Sequence, residues 1–460
     1  MTVQTHTTRR QHRTSQPTKH GAGPRRAAGR TIVASVAAGA LTALVLVLVA
    51  FPGATEATTT GLLLLAFGFG WALMAFLTVR RTRQPQRWAY VPAAAMGATG
   101  AALVVLDPGN QTMTALNWVW PPLIVALAVW IFTQVRRSVT GAARWVLIAV
   151  TSVLVLASVG ATYANISLAT DDVANAAPGK LYNVASHRLH LDCHGHGSPT
   201  VVLSNGLGGT SARWARITGP IAATTRVCAY DRAGQGWSDD AASPRDGVQS
   251  AKDLHTLLAK AGEHGPYVLV GHSTGGTHAM TYAACYPDQV SGLVLLDSSS
   301  PQQFTQMPDF AGLYAHMMRP LYGLLPTLSR LGLGQLVPGD SQLPAADAAT
   351  VDSLTSAPKA YRTQRDEVSV LRRLFTQAQA LTTFDARPLA VLTASASSTG
   401  TEGWDGAQDQ LAALSTNSVR RTVDSTHEGL LEDVRPAAAS VRSIKEVISS
   451  VRTGTPLAAH

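Results

Sequence analysis

"LVGHSTGGTHAM", residues 269–280, sets a serine between two glycines, with a strand-like apolar run before it and a helix-like run after it. Glycines serve any sharp corner, because they accept backbone angles and close approaches that other residues do not. The flanks narrow the reading. "PYVLV" leads directly into "GHSTG", and a helical pattern continues to "CYPD". Strand, tight turn and helix in that order lift the Ser273 hydroxyl out of the strand end, beside the unpaired N–H groups that open a helix.

Outward from this corner, short β-type runs alternate with helical patterns. The runs are "KLYNV", "RLHLDC", "TVVLSNG", "TRVCAYD", "YVLVGHS", "GLVLLDS", "PLAVLTA" and "SVRRTVDS". Between two of them, residues 247–261 place Val248, Ala251, Leu254, Leu257, Leu258 and Ala261 on one helical face. Such alternation predicts a largely parallel sheet covered by helices on both faces, with the first two runs pairing antiparallel at an edge. Residues 298–386 break the rhythm with helical fragments and no strand, an insertion expected above the carboxyl ends of the strands, where open α/β sheets bind ligands.

Two further stretches carry a resemblance. "YDRAGQGWSD", 230–239, is similar to the D-R-x-G-x-G-x-S segment of α/β-hydrolase-fold serine hydrolases, and "YPDQVSGLVLLDSS" to the approach to their sixth strand. With "GHSTGG" these motifs make residues 180–452 resemble that family. The resemblance implies an α/β-hydrolase fold with an eight-stranded, mostly parallel sheet and a helical cap after strand 6. It also implies a nucleophile, acid and base met in the order Ser, acid, His.

A serine hydroxyl is a weak nucleophile, so it needs a base, a group that orients the base, and donors for the developing oxyanion. Ser273 is the expected nucleophile and His427, in "VDSTHEGLLED" after the last strand run, the expected base. The acid is open between two residues. No carboxylate follows closely behind the seventh run, where Glu402 and Asp405 come only after a Ser/Thr/Gly stretch; Asp297, ending "LVLLD", is favoured over Asp405. The oxyanion donors are expected to be the backbone N–H groups of Thr274 and of Leu207 in "SNGLGG". Two departures from the family pattern stand out: Asn205 replaces a histidine common before the oxyanion glycine, and the acid after strand seven is missing. A serine rather than an aspartate at residue 273 argues against carbon–halogen or epoxide cleavage. No metal or cofactor is expected.

The first third is different in kind. Five uncharged apolar runs, about 31–51, 61–79, 88–106, 116–135 and 145–164, each approach the roughly 20 residues a helix needs to cross a bilayer. Arg and Lys fill residues 1–30 and the second and fourth connections, whereas "PGATEATTT" and "DPGNQTMTA" contain none. The positive-inside rule then predicts a cytoplasmic, disordered N-terminal tail, five spans in the plasma membrane and an extracytoplasmic domain after a linker at 165–179. Trp88, Trp118, Trp120 and Trp145 mark span ends. The net charge of +9 follows from this topology: 14 of 37 basic residues but only Glu56 and Asp107 of 28 acidic ones precede residue 145. Nucleic acid is therefore not an expected partner, and the absence of charge within the spans argues against transport.

The expected function is a membrane-anchored serine hydrolase acting on a small-molecule or lipid-like acyl substrate. Acyl transfer by the same residues and a non-catalytic membrane sensor are the alternatives. The fold that the resemblance implies makes Cys193 and Cys228 strand neighbours and hence a disulfide candidate, with Cys285 expected as a small buried residue. His187, His190, His194 and His196 are expected at the surface of the edge hairpin, without a metal. Residues 453–460 are expected to form a short tail.

Overall fold

The computed structural model describes residues 24–458 apart from 172–175, 308, 337–338 and 340. The tail expected at 1–30 therefore falls largely outside the described residues, and its last part is helical: α1 begins at Pro24.

Among the described residues, five helices are long and apolar enough to cross a membrane. They are α1 (Pro24–Val45, continued by a π-helical turn Leu46–Ala50), α2 (Glu56–Arg81), α3 (Tyr90–Leu106), α4 (Asn110–Ser138) and α5 (Ala142–Ala169). Three outrun their apolar runs at the end expected to be outer. The Thr55 side chain accepts from Thr58 N and starts α2 at Glu56, α4 starts at Asn110, and α5 runs five residues into the expected linker. These polar extensions are the part that touches the rest of the chain.

Eight strands form one sheet in the order β1-β2-β4-β3-β5-β6-β7-β8. They are β1 (Lys180–Val184), β2 (His187–His194), β3 (Thr200–Ser204), β4 (Val227–Tyr230), β5 (Tyr267–His272), β6 (Val290–Leu296), β7 (Leu389–Ala394) and β8 (Ser418–Val423). β1–β2 and β2–β4 pair antiparallel and the other pairs are parallel. The central strands are buried on both faces, so their side chains alternate between two apolar layers. Val202, Leu269, Leu293 and Leu295 face one layer, with Leu254, Leu257 and Leu258 of α7 (Gly247–Ala261) and Met280 and Tyr282 of α8 (Thr274–Cys285). Val201, Leu203, Val268, Val270, Val294 and Leu296 face the other, with Ile217 and Ile221 of α6 (Ala215–Ala222) and Ile444 and Val447 of α13 (Val434–Thr453). An Asp246 capping box with Gln249 begins α7 at the residue its periodicity predicted.

Cys193 and Cys228 pair directly across β2 and β4 and are joined as a disulfide. Cys285 corrects an expectation: it ends α8 and is exposed. The histidines correct another. β2 is an inner strand, flanked by β1 and β4, so His187 and His190 are buried while His194 and His196 remain exposed. His190 Nδ1 lies 2.9 Å from Asp231 Oδ2, and its Nε2 donates to the Pro178 carbonyl at 2.6 Å.

Among its described residues, the insertion between β6 and β7 contains helices and no strand. A short helix Gln303–Gln306 leads into a continuous helix made of Phe310–Leu313, a π-helical turn Tyr314–Met318 and α9 (Arg319–Arg330); α10 (Ala345–Ser356) and α11 (Pro358–Ala378) follow. Several of its contacts with the apolar helices are polar. Arg330 forms a buried ion pair with Glu56, and its Nη2 donates to Asn110 Oδ1 at 2.8 Å. Asn110 Nδ2 in turn donates to Asp240 Oδ2 at 2.9 Å, and Asp240 pairs with Arg362 of α11 at 2.7 Å. A buried charge is retained only when it is paired and hydrogen-bonded, so the buried Glu56, Arg330 and Arg362 each depend on a partner in this chain.

Candidate active site

At the corner between β5 and α8, Ser273 holds φ +56° and ψ −127°, a left-handed conformation that is uncommon for a residue with a side chain. The surroundings over-determine it. Ser273 N donates to Leu296 O at 3.1 Å, and Ser273 O accepts from Gly276 N and Ser299 N, each at 3.1 Å. A side chain at Gly275 would collide with the backbone of Ser204 and Asn205, and one at Gly271 with Gly276. The glycines are thus required for close approach, and the half-buried Ser273 is left at the strand end.

Asp297 follows the last residue of the neighbouring strand β6, also with positive φ (+43°), and is fully buried. Its Oδ2 lies 2.6 Å from His427 Nδ1 and accepts from Ser397 Oγ at 2.5 Å; Oδ1 accepts from Trp404 Nε1 at 2.9 Å and Ala394 N at 3.1 Å. Burial alone would push this carboxyl up, but the bonds from His427, Ser397 and Ala394 outweigh it and hold it below the usual carboxylate range. Burial likewise disfavours a charged His427, yet the hydrogen bond to Asp297 and the charges of Glu428 and Asp297 raise its imidazole above the ordinary value. Asp405, the other candidate acid, is not brought to this site: its half-exposed carboxylate pairs with Arg420 and accepts from Ser398.

This arrangement accounts for the carboxylate missing after β7. That strand end supplies donors instead, the Ala394 N–H, Ser397 and, just beyond, Trp404, and these receive a carboxylate reaching across from β6. Sequence reasoning missed Ser397 and Trp404; the stretch "TASASSTG" held the signal, as a run of hydroxyl donors where an acid was sought. His272 was missed as well. Its ring centroid is 4.5 Å from that of His427, and its Nε2–H donates to the His427 carbonyl at 3.0 Å. Burial and the neighbouring His427 lower its pKa to about 4, which keeps it neutral, a donor that fixes the His427 loop against the elbow.

The loop after β3 is held from behind. Arg232 donates to Asn205 O at 2.6 Å and Gly206 O at 2.9 Å, and Gln235 Nε2 donates to Gly206 O at 3.0 Å. Because C=O and N–H of a trans peptide point opposite ways, the Leu207 N–H faces away from Arg232. A Cβ on Gly206 would stand 3.0 Å from the Ser273 Cβ, so this loop lies against the elbow. Thr274, first residue of α8, has its N–H among those a helix start leaves without an intrahelical acceptor. Asn205, where a histidine is common in the family, donates from Nδ2 to Tyr230 O and accepts from Trp214 Nε1; it shapes the loop from the side.

Glu367 of α11 locks the loop to the cap. Its Oε2 accepts from Gly208 N at 2.7 Å, while Oε1 accepts from Arg232 at 2.7 Å and Gln235 at 3.0 Å. Glu367→Ala is expected to lower kcat up to about a hundredfold with little change in KM, since misplacing a positioned group by about 1 Å costs that much. Glu367→Gln, which retains an acceptor, should recover much of it. Steady-state kinetics on one ester with all three proteins gives the comparison.

Among the described residues, His272, His427 and Glu428 also offer ligand atoms within 4.8 Å of one another. The hydrogen bonds to Asp297 and to the His427 carbonyl already occupy one nitrogen of each ring.

The alpha/beta hydrolase fold family's sequence profile matches residues 199–434, just over half of the chain. The chain belongs to the alpha/beta hydrolase fold family. An uncharacterized protein of Schizosaccharomyces pombe is 34% identical over 180 residues, 32% of this chain and 33% of that protein. The chain spans between a fifth and two fifths of the length of the first curated relatives it matches. Among solved structures, an alpha/beta hydrolase from Nostoc sp. PCC 7120 superimposes with TM-score 0.51 at 18% identity, covering 61% of this chain and all of that one. The haloalkane dehalogenase DbeA from Bradyrhizobium elkani gives 0.50 at 18% identity, covering 60% of this chain and 99% of its own. At such identities the likeness is one of fold.

Proposed function

We propose that this member of the family is a membrane-anchored serine hydrolase that cleaves a carboxylic ester or related acyl bond outside the cytoplasmic membrane. The observation that carries it is the 2.6 Å contact of Asp297 with His427, whose carbonyl accepts from His272, the residue before a serine held at a left-handed elbow. His427 Nε2 takes the proton of Ser273 Oγ as Oγ bonds to the acyl carbon, and the negative charge passes to the carbonyl oxygen. The Leu207 and Thr274 N–H groups receive that oxyanion. Collapse breaks the bond to the leaving alcohol, which departs with the His427 proton. Water then repeats the steps in reverse order of roles, releasing the acid and regenerating Ser273. Asp297 stays ionised throughout, holding the imidazole tautomer with its proton on Nδ1.

The location is supported by charge. The domain after the spans rests on the connections without Lys or Arg, through Gly53, Ala54 and Asn110, while Arg80, Arg81, Arg83, Arg87, Arg136, Arg137 and Arg144 lie at the opposite connections. The test is labelling of the full chain in detergent or nanodiscs with a fluorophosphonate, followed by peptide mass mapping. One adduct on Ser273 is the expected result; no adduct, or one elsewhere, overturns the reading.

A further inference from the structure

The helix from Phe310 to Arg330 shows three faces. Gly323 and Thr327 pack on the spans: a Cβ at Gly323 would stand 2.8 Å from Gly53 Cα, and Thr327 Oγ1 is 2.9 Å from Thr60 Oγ1. Tyr314, Met318 and Tyr322 pack into the cap core. Between these faces runs Leu313, Met317, Leu321, Leu324 and Leu328, the i, i+4, i+8, i+11, i+15 spacing of an apolar helix stripe. An amphipathic helix ordinarily buries that stripe, yet Leu313, Met317 and Leu321 are 40%, 55% and 45% exposed.

Its two ends say what belongs there. At the α9 end the stripe runs beside the π-helical turn that closes the first span, where Val49 and Phe51 are 73% and 50% exposed, as lipid-facing residues are. The other end, roughly 22 Å away by helix rise, reaches Phe304, Phe310, Tyr314 and Phe375, the aromatic cluster against which Leu207 of the loop beside Ser273 packs. The apolar face thus runs from the exposed surface of the first span to the aromatic cluster that holds the Leu207 side chain.

We propose that outer-leaflet lipid covers this stripe, and that the substrate is a long-chain acyl lipid that reaches Ser273 along it. The substrate half rests on the hydrolytic reading above; the lipid contact does not. Of the polar groups on the cap helix, Thr327 and Arg330 face the spans and Tyr314 and Tyr322 the cap core, while His316 is exposed and Arg319 half-buried, as amphipathic interfacial residues are.

Two measurements on the full chain in lipid nanodiscs test it. A nitroxide on Met317→Cys in a Cys285→Ser background is expected to collide readily with oxygen and poorly with a water-soluble nickel chelate. Ready collision with both means a wetted face, and poor collision with both means cover by protein such as a second copy; either overturns the proposal. Second, the ratio of turnover on a bilayer-resident hexadecanoyl ester to turnover on a water-soluble butanoyl ester is expected to fall at least tenfold in Met317→Asp/Leu321→Asp. An unchanged ratio overturns the substrate assignment. Failure of Ser273 to react with fluorophosphonate would remove the hydrolytic reading while leaving the nitroxide result interpretable.

Discussion

Ser273→Ala is expected to abolish ester turnover, lowering kcat by about a millionfold, the loss seen when a serine nucleophile is deleted from an intact triad. KM should change little, because the hydroxyl bonds to substrate only in the reaction. The substitution should also leave the fold in place. Three backbone hydrogen bonds define the elbow, and none of them involves the Ser273 side chain. Alanine occupies the same positive-φ position at no greater steric cost. The measurement is single-turnover and steady-state kinetics on an activated ester, alongside thermal melting of both proteins. A variant that retains turnover would remove Ser273 from the chemistry.

Asp297→Asn should cost about ten-thousandfold in kcat, since the amide can donate to Nδ1 and favour the wrong imidazole tautomer. The pH profile adds a signature that misfolding would not give. His427 works as a base only when neutral, so kcat/KM should rise with pH through the His427 midpoint. In the native protein that midpoint lies above the ordinary imidazole value of about 6.5, because the bond to Asp297 and the charges of Asp297 and Glu428 more than offset burial. Replacing Asp297 removes one carboxylate that favours the imidazolium, so the acid limb should move to lower pH even as the plateau collapses. An acid limb that stays in place would mean that Asp297 does not set the His427 charge. Its buried bonds to Ser397, Trp404 and Ala394 would then be structural only.

What the sequence made legible was local or ordered along the chain. The elbow is written in consecutive residues, the strands in runs of β-branched residues, and the spans in length and apolarity. Asp297 and His427 could be named because each ends or follows a strand, and strand ends on one edge of a parallel sheet converge. What was not legible came from the third dimension. His187 and His190 lie on a hairpin that looks like an edge, yet β2 is sandwiched and the protein buries them. The acid after β7 was sought as a carboxylate, whereas the strand end carries its hydrogen-bond donors. Glu367 sits 159 residues from the glycine it binds, and no periodicity announces that partnership. The helix ends beyond the apolar runs were missed because hydropathy detects hydrocarbon, and Glu56 and Asn110 stand where the hydrocarbon stops.

That last placement governs how the enzyme can be handled. Trimming the gene at Lys180 to obtain a water-soluble catalytic fragment would strip Arg330 of its counter-ion and Asp240 of its amide partner, and would wet the Gly323 face that now rests on Gly53. The five helices are a wall of the catalytic unit, so the smallest workable protein keeps them.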